Sequence, residues 1–290
     1  MMKSLRWSVL LGMAALAVAG PRPAQADGAY AGISLFYGEE YAAVWRLPTE
    51  THGFQAYEII PAKNPRQTLA LLFVIDQAKI RAQFVDLPLA GTGKKVSPKL
   101  ERHRLKRTGQ TEDALLAING GYFTQDFQPD GLFRTGGREI APLTSKAVHS
   151  GAVVVEQGRI ELIARAEIAQ QREIMQSGPF LIDPGGELGI QRDGPKTERT
   201  VLALTGPGPG GGPPLLLVAV FKRPLSLVQA ATLLHQLPVE EDGRPGLPSS
   251  IERALNLDGG PSTGFWCSAL PDRSFEPGTP VRNLIVWTRR

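Results

Sequence analysis

Short apolar runs, broken by Gly, Pro and Asp at hairpin-like intervals, dominate the chain and predict strands. They lie at Gly32–Tyr37, Ala42–Leu47, Phe54–Ile60, Leu69–Ile75, Ile80–Leu87, Ala152–Glu156, Ile160–Ile163, Val201–Leu204, Leu215–Phe221 and Asn283–Thr288. The Gly- and Pro-rich stretch Thr205–Pro214 reads as an extended hairpin loop between two of them. Two segments carry helix signals. One starts at Ser97 with Pro98 behind it and runs to about Arg107; the other, Ser226–Leu237, has apolar residues at helical spacing and Pro238 as its stop. Many strands with few helices predict an α+β fold: a largely antiparallel sheet core with a few packed helices, in one domain over 27–290.

Two apolar runs end in polar Gly-Gly turns. Ala114–Ile118 leads into Asn119-Gly120-Gly121-Tyr122-Phe123, and Arg253–Leu255 leads into Asn256-Leu257-Asp258-Gly259-Gly260. Asn-Gly is equally the sequence of a tight hairpin turn, and Asp before Gly can simply cap one. Gly pairs also admit positive φ and close backbone approach, so their N–H groups can converge on an anion. The aromatic pair after Gly121 exceeds what a minimal turn requires, and Tyr can stack on a sugar face. Ser262 and Thr263 add hydroxyls beside Asp258. That cluster suits either a phosphate cradle or a carboxylate acting as acid, base or nucleophile.

The N-terminus begins Met1-Met2-Lys3-Ser4-Leu5-Arg6, continues apolar from Trp7 to Gly20 and reaches Ala24-Gln25-Ala26. This is the pattern of a secretory signal with its cleavage site, so residues 1–26 are expected to be removed. A membrane span needs about 20 apolar residues, more than this run supplies. No stable membrane insertion is expected after cleavage, and the protein is expected to be periplasmic or secreted. The segment holds three of the 32 Lys and Arg and none of the 28 Asp and Glu, so the formal net charge falls from +4 to +1. No nucleic-acid partner is expected from that balance. One basic cluster remains, Lys94, Lys95, Lys99, Arg102, Arg104, Lys106 and Arg107: a solvated helix face or an anion-attracting rim. Cys267 is the only cysteine, which excludes an intrachain disulfide and a Cys-based zinc site.

Further polar turns follow in order: Pro129-Asp130-Gly131-Leu132, Gly137-Arg138-Glu139, Gln176-Ser177-Gly178-Pro179 and Arg199-Thr200. Together with the two Gly-Gly turns, these motifs resemble the phosphodiester glycosidase domain family over roughly residues 55–290. Each motif alone is weak; their common order is specific. Two positions depart from the family pattern. Pro261 removes a backbone donor beside the second turn, and Ala203 stands where a Gly more often follows Arg-Thr.

The resemblance implies hydrolysis of a sugar-1-phosphodiester in envelope or extracellular glycan metabolism, with a phosphorylated glycan as partner and no cofactor. Asp258 is then the expected base or nucleophile, Asn119 the positioning amide and Asp130 the second carboxylate. Gly120, Gly121, Tyr122, Ser177, Gly178, Arg199, Asn256, Gly259, Gly260 and Ser262 would bind substrate, with Arg199 clamping the phosphate. Two rivals stay open. A metal-assisted phosphodiesterase finds no paired spacing among His52, His103, His149 and His235, although the sequence leaves a carboxylate-held Ca²⁺ open. A non-catalytic glycan-binding or envelope-assembly module on the same fold is the other.

Overall fold

The computed structural model describes residues 30–37, 40–47, 49, 51, 53–64, 66–88, 104–207, 213–237 and 250–290. The expected signal segment 1–26, most of the basic cluster, and His52, His103 and Pro238 lie outside them. Strands β1 (Tyr30–Tyr37), β2 (Glu40–Leu47), β3 (Phe54–Pro61), β4 (Ala70–Ile75) and β5 (Ile80–Asp86) come first, followed by helix α1 (Arg104–Thr111). Next are β6 (Leu116–Asn119), β7 (Phe133–Thr135), β8 (Arg138–Ala141), β9 (Gly151–Glu156), β10 (Arg159–Ala164), β11 (Ile174–Ser177) and β12 (Phe180–Ile182). Strands β13 (Thr197–Thr205) and β14 (Leu216–Leu225) precede helix α2 (Leu227–His235), and β15 (Ile251–Asn256), β16 (Phe265–Cys267) and β17 (Asn283–Arg289) complete the order.

Three sheets result. The largest has the order β1-β2-β3-β4-β14-β13-β15-β12, the second β10-β9-β11-β7-β8 and the third β16-β6-β17-β5. Their strand pairs run antiparallel. All ten strands read from the apolar runs are present. The fold is richer in sheet than a balanced α+β label implies, with two α-helices among the described residues.

The unbroken apolar runs of β4 and β14 follow from burial on both faces. Leu71, Phe73, Ile75, Leu216, Val218 and Val220 point into the core shared with the other two sheets. Their alternate neighbours Ala70, Leu72, Val74, Leu217, Ala219 and Phe221 point into the core beneath α2. A period of two thus separates two cores within one run. Helix α2 starts where the sequence suggests: Ser226 Oγ accepts from Gln229 N at 3.2 Å while Gln229 Oε1 accepts from Ser226 N at 3.1 Å. Helix α1 runs past the expected end at Arg107 to Thr111. It can do so because Gly109 lets it lie against the Trp266 indole, where a Cβ would clash.

The chain crosses between sheets at three points that decide where chemistry is possible. Residues 120–132 carry it from β6 to β7, Gly178-Pro179 from β11 to β12, and residues 257–264 from β15 to β16. The three crossings touch: Asp258 N donates to Gly120 O at 3.2 Å, and Gly178 N to Asn256 O at 3.0 Å.

Candidate active site

Both Gly-Gly turns lie at these crossings, and their amide side chains act as braces. Asn119 is 1% exposed. Its Oδ1 accepts from Thr200 Oγ1 at 2.7 Å and Gly264 N at 3.3 Å, and its Nδ2 donates to Asp258 O at 2.8 Å. All its strong valences are used inside the protein. Asn256 Nδ2 donates to Tyr122 Oη at 2.8 Å and to the carbonyls of Gly178 and Leu257. Ser177, fully buried, donates from Oγ to Asn256 O at 3.0 Å.

The glycine N–H groups are less available than an anion cradle would need. Gly120 N donates to Asn283 O at 3.0 Å, Gly121 N to Asn283 Oδ1 at 2.8 Å, and Gly259 N to Asp258 Oδ1 at 2.9 Å. Gly260, at φ +57°, starts a 3-10 turn, and its N–H has no protein acceptor among the described residues. The glycines answer chiefly to close packing. A Cβ on Gly120 would run into Asn283, one on Gly178 into the Val148 carbonyl, and one on Gly259 would lie 2.8 Å from the Glu198 carbonyl. Pro261 sits in the first turn of that 3-10 segment, where a backbone N–H lacks an intrahelical acceptor, so its ring fits locally. Ala203 is buried in the core beneath α2.

Asp258 is the reactive-looking group. Burial pushes its carboxyl up to about 6, against hydrogen bonds from Ser262 and from Gly259 N that favour the charged form. Tyr122 stands beside it and donates to Gly178 O at 2.7 Å. Burial first, and the Asp258 charge second, raise the Tyr122 phenol well above its ordinary value, so it remains a protonated donor. Arg199, half-buried on β13, anchors Nε on Leu225 O at 3.2 Å and Nη2 on Pro195 O at 2.7 Å. Its third nitrogen, Nη1, flanks Gly259, and among the described residues Arg199 forms no ion pair. Burial lowers its basicity, which a guanidinium tolerates without losing its charge.

Asp130 keeps other company. Lys146 Nζ grips both its oxygens, at 2.7 and 2.8 Å, and the fully buried His149 lies 3.8 Å away through Nε2. Its side-chain contacts are thus with Lys146 and His149, not with Asp258.

Asn283, which fastens the first Gly-Gly turn, is not among the expected site residues. Thr200, which fastens Asn119, and Gln176, whose Oε1 accepts from Leu132 N at 3.0 Å and Thr144 N at 3.1 Å, lie in the polar-turn motifs but carry no expected role. Cys267 is buried, and its thiol is pushed up to about 11 by burial, which suits packing rather than nucleophilic attack. Among the described residues no three His, Cys, Asp or Glu side chains converge to hold a metal.

Residues 112–288 match the family model described as phosphodiester glycosidase. Among curated proteins, none matches the chain. Among solved structures, the catalytic domain of zebrafish N-acetylglucosamine-1-phosphodiester alpha-N-acetylglucosaminidase, auto-inhibited by its pro-peptide, aligns with 15% identity and a TM-score of 0.47. That alignment covers 84% of this chain and 87% of the zebrafish one.

Proposed function

The chain belongs to the phosphodiester glycosidase family, and from that premise we propose that it is an exported hydrolase of sugar-1-phosphodiesters in envelope or extracellular glycan metabolism. The observation that carries the reading is that a largely buried carboxylate, Asp258, and the Arg199 guanidinium both act on Tyr122, with Arg199 Nη1 beside Gly259 and without an acceptor among the described residues. Arg199 Nη1 and the Gly260 N–H balance the phosphate charge, which turns the phosphate into a competent leaving group. Asp258 then acts at the anomeric carbon, as base toward water or as nucleophile. The sugar–oxygen bond breaks, the phosphate monoester departs with the bonding electrons, and water supplies OH to the sugar and a proton to the medium. A carboxyl tuned to about 6 is ionised in most of the protein near neutrality and still exchanges protons readily. Tyr122 holds the Gly178 carbonyl beside Asp258.

The test is a screen of the mature protein on sugar-1-phosphodiesters in ¹⁸O water. Label in the sugar supports this route, and label in phosphate overturns the assignment of Asp258 to the anomeric carbon. Asp258→Asn should remove turnover while leaving the fold intact; full activity in that variant sinks the role. Two other readings give different outcomes. Activity lost on chelation and restored by a divalent cation identifies a metal-assisted enzyme, and glycan binding without product identifies a non-catalytic module. Export predicts a periplasmic or secreted protein beginning at Asp27, which fractionation and N-terminal sequencing would check.

A further inference from the structure

His149 is the least expected residue around the site. It is 0% exposed, and among the described residues neither ring nitrogen has a hydrogen-bond partner. A buried imidazole ordinarily satisfies at least one nitrogen, so this one is held where a partner is near but out of reach. That partner is Asp130, whose Oδ1 stands 3.8 Å from His149 Nε2 while the same oxygen takes Lys146 Nζ at 2.7 Å. Lys146 is 56% exposed, so the competitor that keeps Asp130 from the imidazole is the solvated member of the trio. On its other side the ring meets Tyr122 edge-on, with centroids 5.4 Å apart. Asp130 also reaches that residue through the backbone, its N donating to Tyr122 O at 2.8 Å.

We propose that His149 is a positioning residue for Tyr122, and that Asp130 acts on the site through His149 rather than as a second reacting carboxylate. The arrangement has two settings. With Lys146 on Asp130 the imidazole stays neutral and unpaired. When His149 is protonated, or when an anion draws Lys146 away, Asp130 pairs with Nε2 and pulls the ring edge on which Tyr122 rests. The charged and titratable groups facing His149 are Tyr122 and Asp130 from the 120–132 crossing, Lys146 from its own loop and Arg165 from the turn after β10. Burial dominates and lowers the His149 value below that of an ordinary histidine, so the switch falls on the acid side of neutrality.

The kinetic test rests on the phosphodiester glycosidase reading above. On a sugar-1-phosphodiester that the wild type cleaves, Asp130→Asn and His149→Phe should each lower kcat about 10- to 100-fold, the scale of a displaced site group. KM should stay within about twofold, and the double variant should be no slower than the slower single, since both act through one contact. In His149→Phe the part of the acid limb that follows His149 should vanish, leaving only the limb set by Asp258 near 6. Losses that multiply, or a loss above about 1000-fold in Asp130→Asn with His149→Phe unimpaired, would return Asp130 to the reacting groups. A second measurement needs neither turnover nor a variant of His149. In wild type carrying ring-¹³C tyrosine and ¹⁵N histidine, the Tyr122 resonance, assigned through Tyr122→Phe, should move with the pH midpoint of His149. A Tyr122 signal indifferent to that titration overturns the proposal whether or not the enzyme is active.

Discussion

Replacing Asn119 with Ala should damage the fold before it damages binding. The amide joins three elements: it takes the Thr200 hydroxyl of β13 at 2.7 Å, the Gly264 N–H before β16 at 3.3 Å, and gives a bond to the Asp258 carbonyl at 2.8 Å. With Asn119 at 1% exposure, water cannot easily replace those partners. Stranding a buried donor or acceptor costs about 1–3 kcal/mol, so the two short bonds alone give about 4 kcal/mol. For a chain of this size that corresponds to a fall of about 8–16 °C in Tm. Urea denaturation followed by both circular dichroism and Trp fluorescence measures it, and coincident transitions license the free energy. A Thr200→Val partner completes a cycle in which the coupling with Asn119→Ala should be about 1 kcal/mol or more. If Asn119→Ala keeps wild-type stability within about 1 kcal/mol and raises KM instead, the amide faces substrate and the brace is refuted.

Asp258→Asn should raise stability at pH 7. A carboxyl raised to about 6 holds its proton more tightly folded than unfolded, so its contribution is full below the ordinary aspartate value and is lost as pH rises through about 6. The wild type should therefore lose stability between roughly pH 4 and 6, by up to about 3 kcal/mol, where the variant is flatter; parallel Tm–pH curves would refute this. Gly120→Ala should fail to accumulate folded protein, because the new methyl meets Asn283; expression and melting behaviour like wild type would contradict the packing. Arg199→Lys cannot hold Leu225 O, Pro195 O and substrate at once, so KM for the phosphodiester should rise about tenfold or more, read by steady-state kinetics.

How much could be read in advance follows from the range of the interactions. The strands of the large sheet were legible because β4 and β14 bury both faces and so read as solid apolar runs. Strands β7, β12 and β16 have three residues each, too few to show a period. Helix α1 ends beyond the expected Arg107, and the reason lies far off in sequence: Trp266, on a distant strand, packs where a Cβ on Gly109 would stand. In the site, Asp258 and the glycines announce themselves by local sequence. Asn283 reaches the first turn across 162 residues and Thr200 reaches Asn119 across 81, so neither role shows in the local sequence, although Thr200 belongs to the Arg199-Thr200 motif. The environment of His149 was equally hidden, since burial and an out-of-reach partner are properties of the assembled crossings.

The crossings also explain why so many weak motifs occur in one order. The turns at Gly120, Gly178 and Gly259 stand where the chain leaves one sheet for another, and there the backbone packs closely: Gly120 on the Asn283 amide, Gly178 on the Val148 carbonyl, Gly259 on the Glu198 carbonyl. The order of the Asn119, Pro129, Gln176 and Asn256 motifs is the order in which the chain makes those crossings, while Gly137–Glu139 lies in the β7–β8 hairpin and Arg199-Thr200 within β13. Removing the groups used in this way, among them Asn119, Ser177, Gly120 and Gly121, leaves a short set with capacity to spare: the Asp258 carboxyl and Arg199, both of which act on Tyr122, with the Gly260 N–H near Asp258 in sequence. Pro261 subtracts nothing from that set, because its position in the 3-10 turn had no bond to make within the helix. One carboxylate, one guanidinium nitrogen and one N–H is a lean complement for a charged leaving group. It works only if the donors sit in a site that excludes water, where each counts for more than it does in solution.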